Sequence, residues 1–317
     1  MKIVVLDGYC LNPGDLSWDR LKEFGNVVVY DRTDNNKLIE RAKDAEILLT
    51  NKTIICRSDI KRLPKLKYIG VLATGYNVVD VETAKSRGIA VTNVSAYSTM
   101  SVAQMVFAHI LNITQHVGDY AQWNREGEWG KKQDFSYMLT PLIELANKTM
   151  GILGLGNTGM ATAKIANAFG MKVIALTSKK QPYLPDWITA VSKEELFSSS
   201  DILSLHCPLN KETRHIVNRS TLALMKSSAI LINCGRGDLI NEEALANALR
   251  VRRLFAAGLD VLSQEPPVTT NPLLNLPNCF TTPHIAWSTL EARKRLIDTA
   301  AMNIKAFLCG VYLNRIV

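Results

Sequence analysis

Short apolar runs alternate along this chain with longer stretches in which apolar positions recur every three or four residues. In the first third, "KIVVLD", "NVVVY", "EILLT", "LKYIGVL" and "IAVTNV" are apolar runs of strand length. Segments with helical spacing separate most of them, as crossover helices separate the strands of a parallel sheet. A long helical pattern follows in "STMSVAQMVFAHILNITQHV". Its apolar positions Val102, Met105, Val106, Ile110, Ile113 and Val117 share one face, and Ser98 or Thr99 is placed to cap its start. A polar, aromatic stretch through Trp123 and Trp129 leads to a second alternating series: "KTMGILG", "KVIALT", "DILSLHCP", "AILINCG", "LFAAGLDV" and "CFTTPH". A last helix is expected from about Ser288 to Leu308, placed to return to the first unit. The pattern predicts an α/β protein of two doubly wound, Rossmann-like units with parallel sheets.

The length supports that division, because 317 residues exceed one ordinary core. Hydrophobic residues at 47% and charged residues at 21% are ordinary for a soluble globular enzyme. No apolar run has the length of a membrane span, and "KIVVL" is too short for a signal peptide, so a cytoplasmic protein is expected. The six cysteines, at 10, 56, 207, 234, 279 and 309, show no CxxC spacing. They read as reduced thiols, with neither a disulfide framework nor a metal site. The net charge of +8 comes from scattered clusters without interleaved aromatics, which argues against a nucleic-acid partner. A mild positive field suits anionic substrates and cofactors.

The strongest local signal is "GLGNTG", Gly154 to Gly159, between an apolar strand and a helical segment. In that context Gly154 permits the tight turn, Gly156 lets a pyrophosphate approach the backbone, and Gly159 lets helix pack on strand. Asn157 and Thr158 open the helix, whose N-terminal amides suit phosphate oxygens. The following strand ends in "TSKK", where NAD-binding chains usually carry an acid for the ribose hydroxyls. Ser178 offers a hydroxyl, and Lys179 and Lys180 either neutralise the 2′-phosphate of NADP or point into water. The cofactor is therefore NAD or NADP, with NADP favoured.

Three ionisable residues follow successive strands: Arg236 after "AILIN", Glu265 after "AAGLDV" and His284 after "CFTT". In an open parallel sheet the carboxyl ends of strands border the ligand crevice. Reduction of a 2-keto acid needs a carboxylate anchor, which arginine provides as a fork. It also needs a proton donor near neutral pH, which histidine provides, oriented by a neighbouring carboxylate.

With these motifs on view, the chain resembles the D-isomer-specific 2-hydroxyacid dehydrogenase family along nearly its whole length. The resemblance is carried by "GLGNTG", "NCGRGDLINEEAL", "GLDVLSQEPP" and "TPHIAW" in that order. "GVLATGYNVVD" and "HIAW" are most similar to its glycerate dehydrogenase (hydroxypyruvate reductase) branch. Two features depart from the family pattern. Asn241 stands where the family often has Asp, an exchange between two good helix caps, and a chain stopping at 317 is expected to leave no room for the regulatory appendage found in many phosphoglycerate dehydrogenases.

The resemblance implies that Arg236 binds substrate, Glu265 assists and His284 is the acid/base. Amides near Ala73, Thr74 and Gly75 would help hold the substrate carboxylate, and Asp260 would approach the nicotinamide amide. Cys207, Pro208 and Thr213 would line the cofactor groove. The family fold has a discontinuous substrate domain, here residues 1–98 plus 288–317, with a nucleotide domain inserted at 99–287, and its members usually dimerise. The expected reaction is hydride transfer between NAD(P)H and a small 2-keto acid, foremost hydroxypyruvate to D-glycerate, with glyoxylate and 3-phosphoglycerate as alternatives. A different class also fits: a dinucleotide-sensing, co-repressor-like binding protein that retains the triad.

Overall fold

The computed structural model describes all residues, 1–317, and divides into two compact units: Met1–Ser98 with Ser288–Val317, and Thr99–Trp287. In the first unit, β1 (Lys2–Val5), β2 (Asn26–Val29), β3 (Ile47–Thr50), β4 (Tyr68–Val71) and β5 (Ala90–Thr92) form a parallel sheet in the order β2-β1-β3-β4-β5. Every residue of β3 and β4 is buried, which explains the continuous apolar runs: both faces are covered and no alternation is needed.

The Leu290–Leu308 helix closes this unit. Thr289 caps it by accepting from the Ala292 amide at 3.3 Å. Leu296, Ile297 and Ile304 are buried on its inner face, each worth ~1.5–3 kcal/mol by transfer from water. Buried Asn303 donates to the Asn93 carbonyl at 3.0 Å, and Arg293 grips both carboxylate oxygens of Asp15 at 2.7 and 2.6 Å. The chain end then returns to the sheet edge, where the Ile316 amide donates to the Val91 carbonyl at 2.7 Å.

The second unit holds β6 (Thr149–Leu153), β7 (Lys172–Leu176), β8 (Ile188–Ala190), β9 (Ile202–Leu205), β10 (Ile230–Asn233), β11 (Ala256–Leu259) and β12 (Cys279–Thr281). They form one parallel seven-stranded sheet in the order β12-β11-β10-β9-β6-β7-β8. Successive side chains divide between two cores, as the period of two requires. Ile202, Ile230, Ile232 and Ala256 join the face that carries Val106, Ile110 and Ile113, while Leu203, Leu205, Leu231, Ala257 and Leu259 join the other.

Two expectations about elements change. The helical spacing predicts one helix through to Val117, but the helix is Thr99–Gln115, and a second one starts at Val117 and runs to Arg125. His116 between them has a φ of +50°. Val117 is 70% exposed, so no burial repays continuing the first helix. Strand β8 was not anticipated, because three residues at a sheet edge leave no readable periodicity.

Candidate active site

In the second unit the chain reverses direction across the sheet between β6 and β9, the switch point where a doubly wound sheet opens a crevice at its carboxyl edge. The glycine turn stands there. Gly154 has a φ of +94°, and a Cβ on it would lie 2.6 Å from the Cys207 amide nitrogen, so the turn after β6 rests on the segment after β9. Gly159 lies against the turn itself: a Cβ would come within 2.1 Å of the Gly154 carbonyl oxygen. Gly156 is different, because a Cβ there would meet nothing within 4 Å.

Gly156 precedes the Asn157–Ala168 helix, and no side chain caps that end. Its first amides, those of Asn157, Thr158 and Gly159, therefore face an open approach. The uncapped helix end, the clear space over Gly156 and the closed packing at Gly154 and Gly159 fit a dinucleotide pyrophosphate.

The groove segments reach the same edge. Thr213 Oγ1 donates to the Pro208 carbonyl at 2.6 Å and accepts from the Asn210 amide at 2.8 Å, which closes the loop after β9. Burial pushes the Cys207 thiol up to about 11, so at neutral pH it is a neutral lining group. Beyond β7, the Thr177 hydroxyl accepts from the Lys179 amide at 3.2 Å. Thr177 is half-buried, and Ser178, Lys179 and Lys180 are exposed.

Strands β10, β11 and β12 are neighbours, and the three ionisable residues follow their carboxyl ends. The β10 loop is shaped by Asn233, which is fully buried. It accepts from the Gly235 amide at 3.0 Å and donates to the Arg236 carbonyl at 2.9 Å. Arg236 is exposed, with its guanidinium on the Gly235 carbonyl at 2.8 Å. A Cβ on Gly237 would lie 2.0 Å from the Leu262 carbonyl carbon, so this loop is seated on the one after β11.

That neighbouring loop presents Glu265. One of its oxygens accepts from the Leu262 amide at 3.2 Å and the other meets His284 Nδ1 at 2.6 Å. A carboxylate can only accept here, so Nδ1 carries the proton and Nε2 is left for chemistry. The His284 and Glu265 side chains are 27% and 35% exposed, accessible from solvent yet held.

His284 itself has a φ of +53°, a left-handed conformation uncommon for a side chain of this size. Asp260 holds it there. The Asp260 carbonyl accepts from the His284 amide at 2.8 Å. Its carboxylate accepts from the Ile285 amide at 2.9 Å, the Ala286 amide at 2.8 Å and the Thr282 hydroxyl at 2.7 Å. Asp260 was expected to approach the nicotinamide amide. It is 1% exposed, with both oxygens engaged by the protein's own donors, and the role visible here is to shape the His284 turn.

In the first unit, the loop after β4 carries Ala73, Thr74 and Gly75. It is braced by Asn93, which donates to the Thr74 carbonyl at 2.7 Å, and by the Val94 amide on the Ala73 carbonyl at 3.1 Å. The amides of Ala73, Thr74 and Gly75 make no hydrogen bond within the protein.

The structure thus brings His284 and Glu265 into contact, with Arg236 on the adjacent strand's loop. Sequence reasoning passed over Asn233, which looks like any residue ending an apolar run. It also passed over Glu242, whose carboxylate accepts from the Ser263 amide at 2.6 Å and Asn271 Nδ2 at 2.8 Å. An acid in a first helical turn reads as dipole complementarity, and nothing nearby in sequence names its distant partners.

Residues 107–286 match the family model described as D-isomer specific 2-hydroxyacid dehydrogenase, NAD binding domain. Over 99% of both chains, the sequence is 50% identical to a hydroxypyruvate reductase of Blautia hydrogenotrophica. The chain belongs to the D-isomer specific 2-hydroxyacid dehydrogenase family. It is also 39% identical to a glycerate dehydrogenase of Methylorubrum extorquens, over 86% of each chain. Among solved structures, an acyclic imino acid reductase in complex with NADPH and D-Arg superposes with a TM-score of 0.86 at 34% identity, covering all of both chains. As a member of this family, the protein is an oxidoreductase of the CH–OH group. It uses a nicotinamide dinucleotide and acts on a small 2-hydroxy or 2-keto acid. No helix is long and apolar enough to cross a membrane.

Proposed function

We propose that this dehydrogenase interconverts hydroxypyruvate and D-glycerate, with Arg236, Glu265 and His284 as its reacting set and NADPH favoured over NADH. The observation that carries the reading is the 2.6 Å contact of His284 Nδ1 with Glu265, whose loop follows β11, the neighbour of the strand that presents Arg236. The half-identical hydroxypyruvate reductase supports the choice of substrate.

Arg236 forks the substrate carboxylate and draws charge from the ketone. The amides of Ala73, Thr74 and Gly75, which make no hydrogen bond within the protein, would suit a carboxylate as donors. His284, oriented by Glu265, gives a proton from Nε2 to the carbonyl oxygen, and takes it back in the oxidative direction. The dinucleotide, when bound, supplies or accepts the hydride. Gly154, Gly156, Asn157, Thr158 and Gly159 would hold its pyrophosphate, and Cys207, Pro208 and Thr213 would line its groove. The segment 177–180 has no carboxylate to repel a 2′-phosphate, and Ser178 with Lys179 would hold one. The NADPH-bound structural neighbour is consistent with that preference.

The assembly we infer is a homodimer. Trp129, Phe135, Met138, Leu139 and Leu142 are 46–91% exposed in one stretch beyond the Val117–Arg125 helix, a run of exposed apolar side chains suited to a second copy. Six free cysteines fit a reducing, cytosolic setting.

Initial rates with hydroxypyruvate, glyoxylate and 3-phosphoglycerate, each with NADH and NADPH, test the reading. The highest kcat/KM is expected for hydroxypyruvate with NADPH. The double variant Lys179→Ala/Lys180→Ala should cut the NADPH preference by about tenfold, the loss of one exposed charge-assisted contact. A preference for 3-phosphoglycerate, or full turnover in His284→Ala, would refute it.

A further inference from the structure

The Thr99–Gln115 helix buries one ionisable side chain, His109, which is 5% exposed. Its ring lies on β11 at Gly258. A Cβ there would come within 2.7 Å of His109 Cβ and 3.0 Å of Nδ1, so the strand accommodates the imidazole only because that residue is glycine. His109 Nε2 is 3.1 Å from Thr282 Oγ1, and Thr282 Oγ1 is 2.7 Å from Asp260 Oδ1.

The protons in this chain can be assigned. A hydroxyl has one proton, and a carboxylate already accepting two backbone amides can only accept again. Thr282 therefore donates to Asp260 and accepts from His109, which makes His109 the Nε2–H tautomer. Burial holds the ring below its ordinary 6.5, against an opposing pull from Asp260, so it stays a neutral donor near pH 7. The far end of the chain is the His284 turn, whose two following amides rest on the same carboxylate.

We propose that His109 is a positioning residue for proton transfer: through Thr282 and Asp260 it holds the left-handed turn from which the His284 imidazole projects. The inference rests on the reading of His284 as the acid/base. Without the His109 donor, Thr282 is free to rotate its hydroxyl, Asp260 loses a fixed partner, and the turn relaxes toward the conformation ordinary for histidine. A shift of about 1 Å at a reacting group lowers turnover by up to about a hundredfold.

The test compares His109→Leu, His109→Gln, Thr282→Val and the His109→Leu/Thr282→Val double variant. The readouts are steady-state reduction of hydroxypyruvate, thermal melts, and the ring NMR signal of His284 in the cofactor-free protein, assigned by its loss in His284→Ala. We expect kcat to fall about 10- to 100-fold in His109→Leu, with KM for the dinucleotide within about twofold. Glutamine, which keeps an N–H near the Nε2 position, should restore most of the rate. Thr282→Val should match His109→Leu, and the double variant should be no worse than the poorer single one, because both cut one chain. The His284 signal should move in His109→Leu and return in His109→Gln.

Unchanged kcat in both single variants overturns the proposal. So does additive loss in the double variant, or a loss that follows the melting temperature without rescue by glutamine. Full activity in His284→Ala overturns both this inference and the reading it rests on. An inactive His284→Ala beside a fully active His109→Leu overturns this inference alone. If His109→Leu does not fold, Thr282→Val and Gly258→Ala, which crowds the ring, still decide the matter.

Discussion

The three glycines of the turn provide a way to separate folding from cofactor binding. At Gly156 the φ is −78° and a Cβ meets nothing, so alanine costs no strain. It should even stabilise by ~0.4–1 kcal/mol through the unfolded chain. The added methyl group would occupy the approach over the helix amides and hold a pyrophosphate off them. Losing one or two charge-assisted hydrogen bonds at ~1.5–3 kcal/mol each weakens binding by one to four powers of ten, before compensation by water. Gly154→Ala should behave in the opposite sense. A φ of +94° and a 2.6 Å approach to the Cys207 nitrogen destabilise the fold itself. Backbone strain and overpacking each contribute ~1–3 kcal/mol. Gly159→Ala, with its 2.1 Å approach to a carbonyl oxygen, belongs with Gly154→Ala. Urea denaturation reads the first effect and calorimetric titration with NADH and NADPH the second. Dinucleotide affinity in Gly156→Ala within about twofold of the parent would refute the argument, because the pyrophosphate would then not pass over that residue.

Other outcomes follow from the same geometry. Gly237→Ala should cost ~1–3 kcal/mol or more by forcing the Arg236 loop off Leu262, and should raise KM for the keto acid; an unchanged KM would detach the two loops. The Arg293 guanidinium, by its hydrogen bonds, holds the Asp15 carboxyl below its ordinary 3.8. The bridge therefore stabilises fully above that value and is lost as pH falls through the lower, folded one. Asp15→Asn should lower the urea midpoint at pH 7 but leave it nearly unchanged at the acid end of that window, and an equal loss at both would show that charge is not involved. A thiol reagent at pH 8 should titrate Cys10, Cys56 and Cys309 quickly and Cys207 slowly, since the first three are exposed and burial lifts the Cys207 thiol to about 11.

Much of the fold was legible in the sequence, because parallel strands buried on both faces must be apolar throughout. "EILLT" and "AILIN" have no other use for such runs, and glycines at 154, 156 and 159 have a backbone reason that spacing alone reveals. The order of Arg236, Glu265 and His284 behind three strands was also a linear feature. What the linear chain does not contain is which strands are neighbours. Only the sheet order places the loops after β10, β11 and β12 side by side, sets Glu265 on His284 Nδ1 and seats Gly237 on Leu262. His109 shows the limit most clearly. In sequence it is one polar residue on an apolar helix. Its connection to Thr282, 173 positions away, exists only once helix and sheet are packed together. Periodicity is a local property written into the chain, whereas the register between distant elements is decided by burial, which no local pattern records.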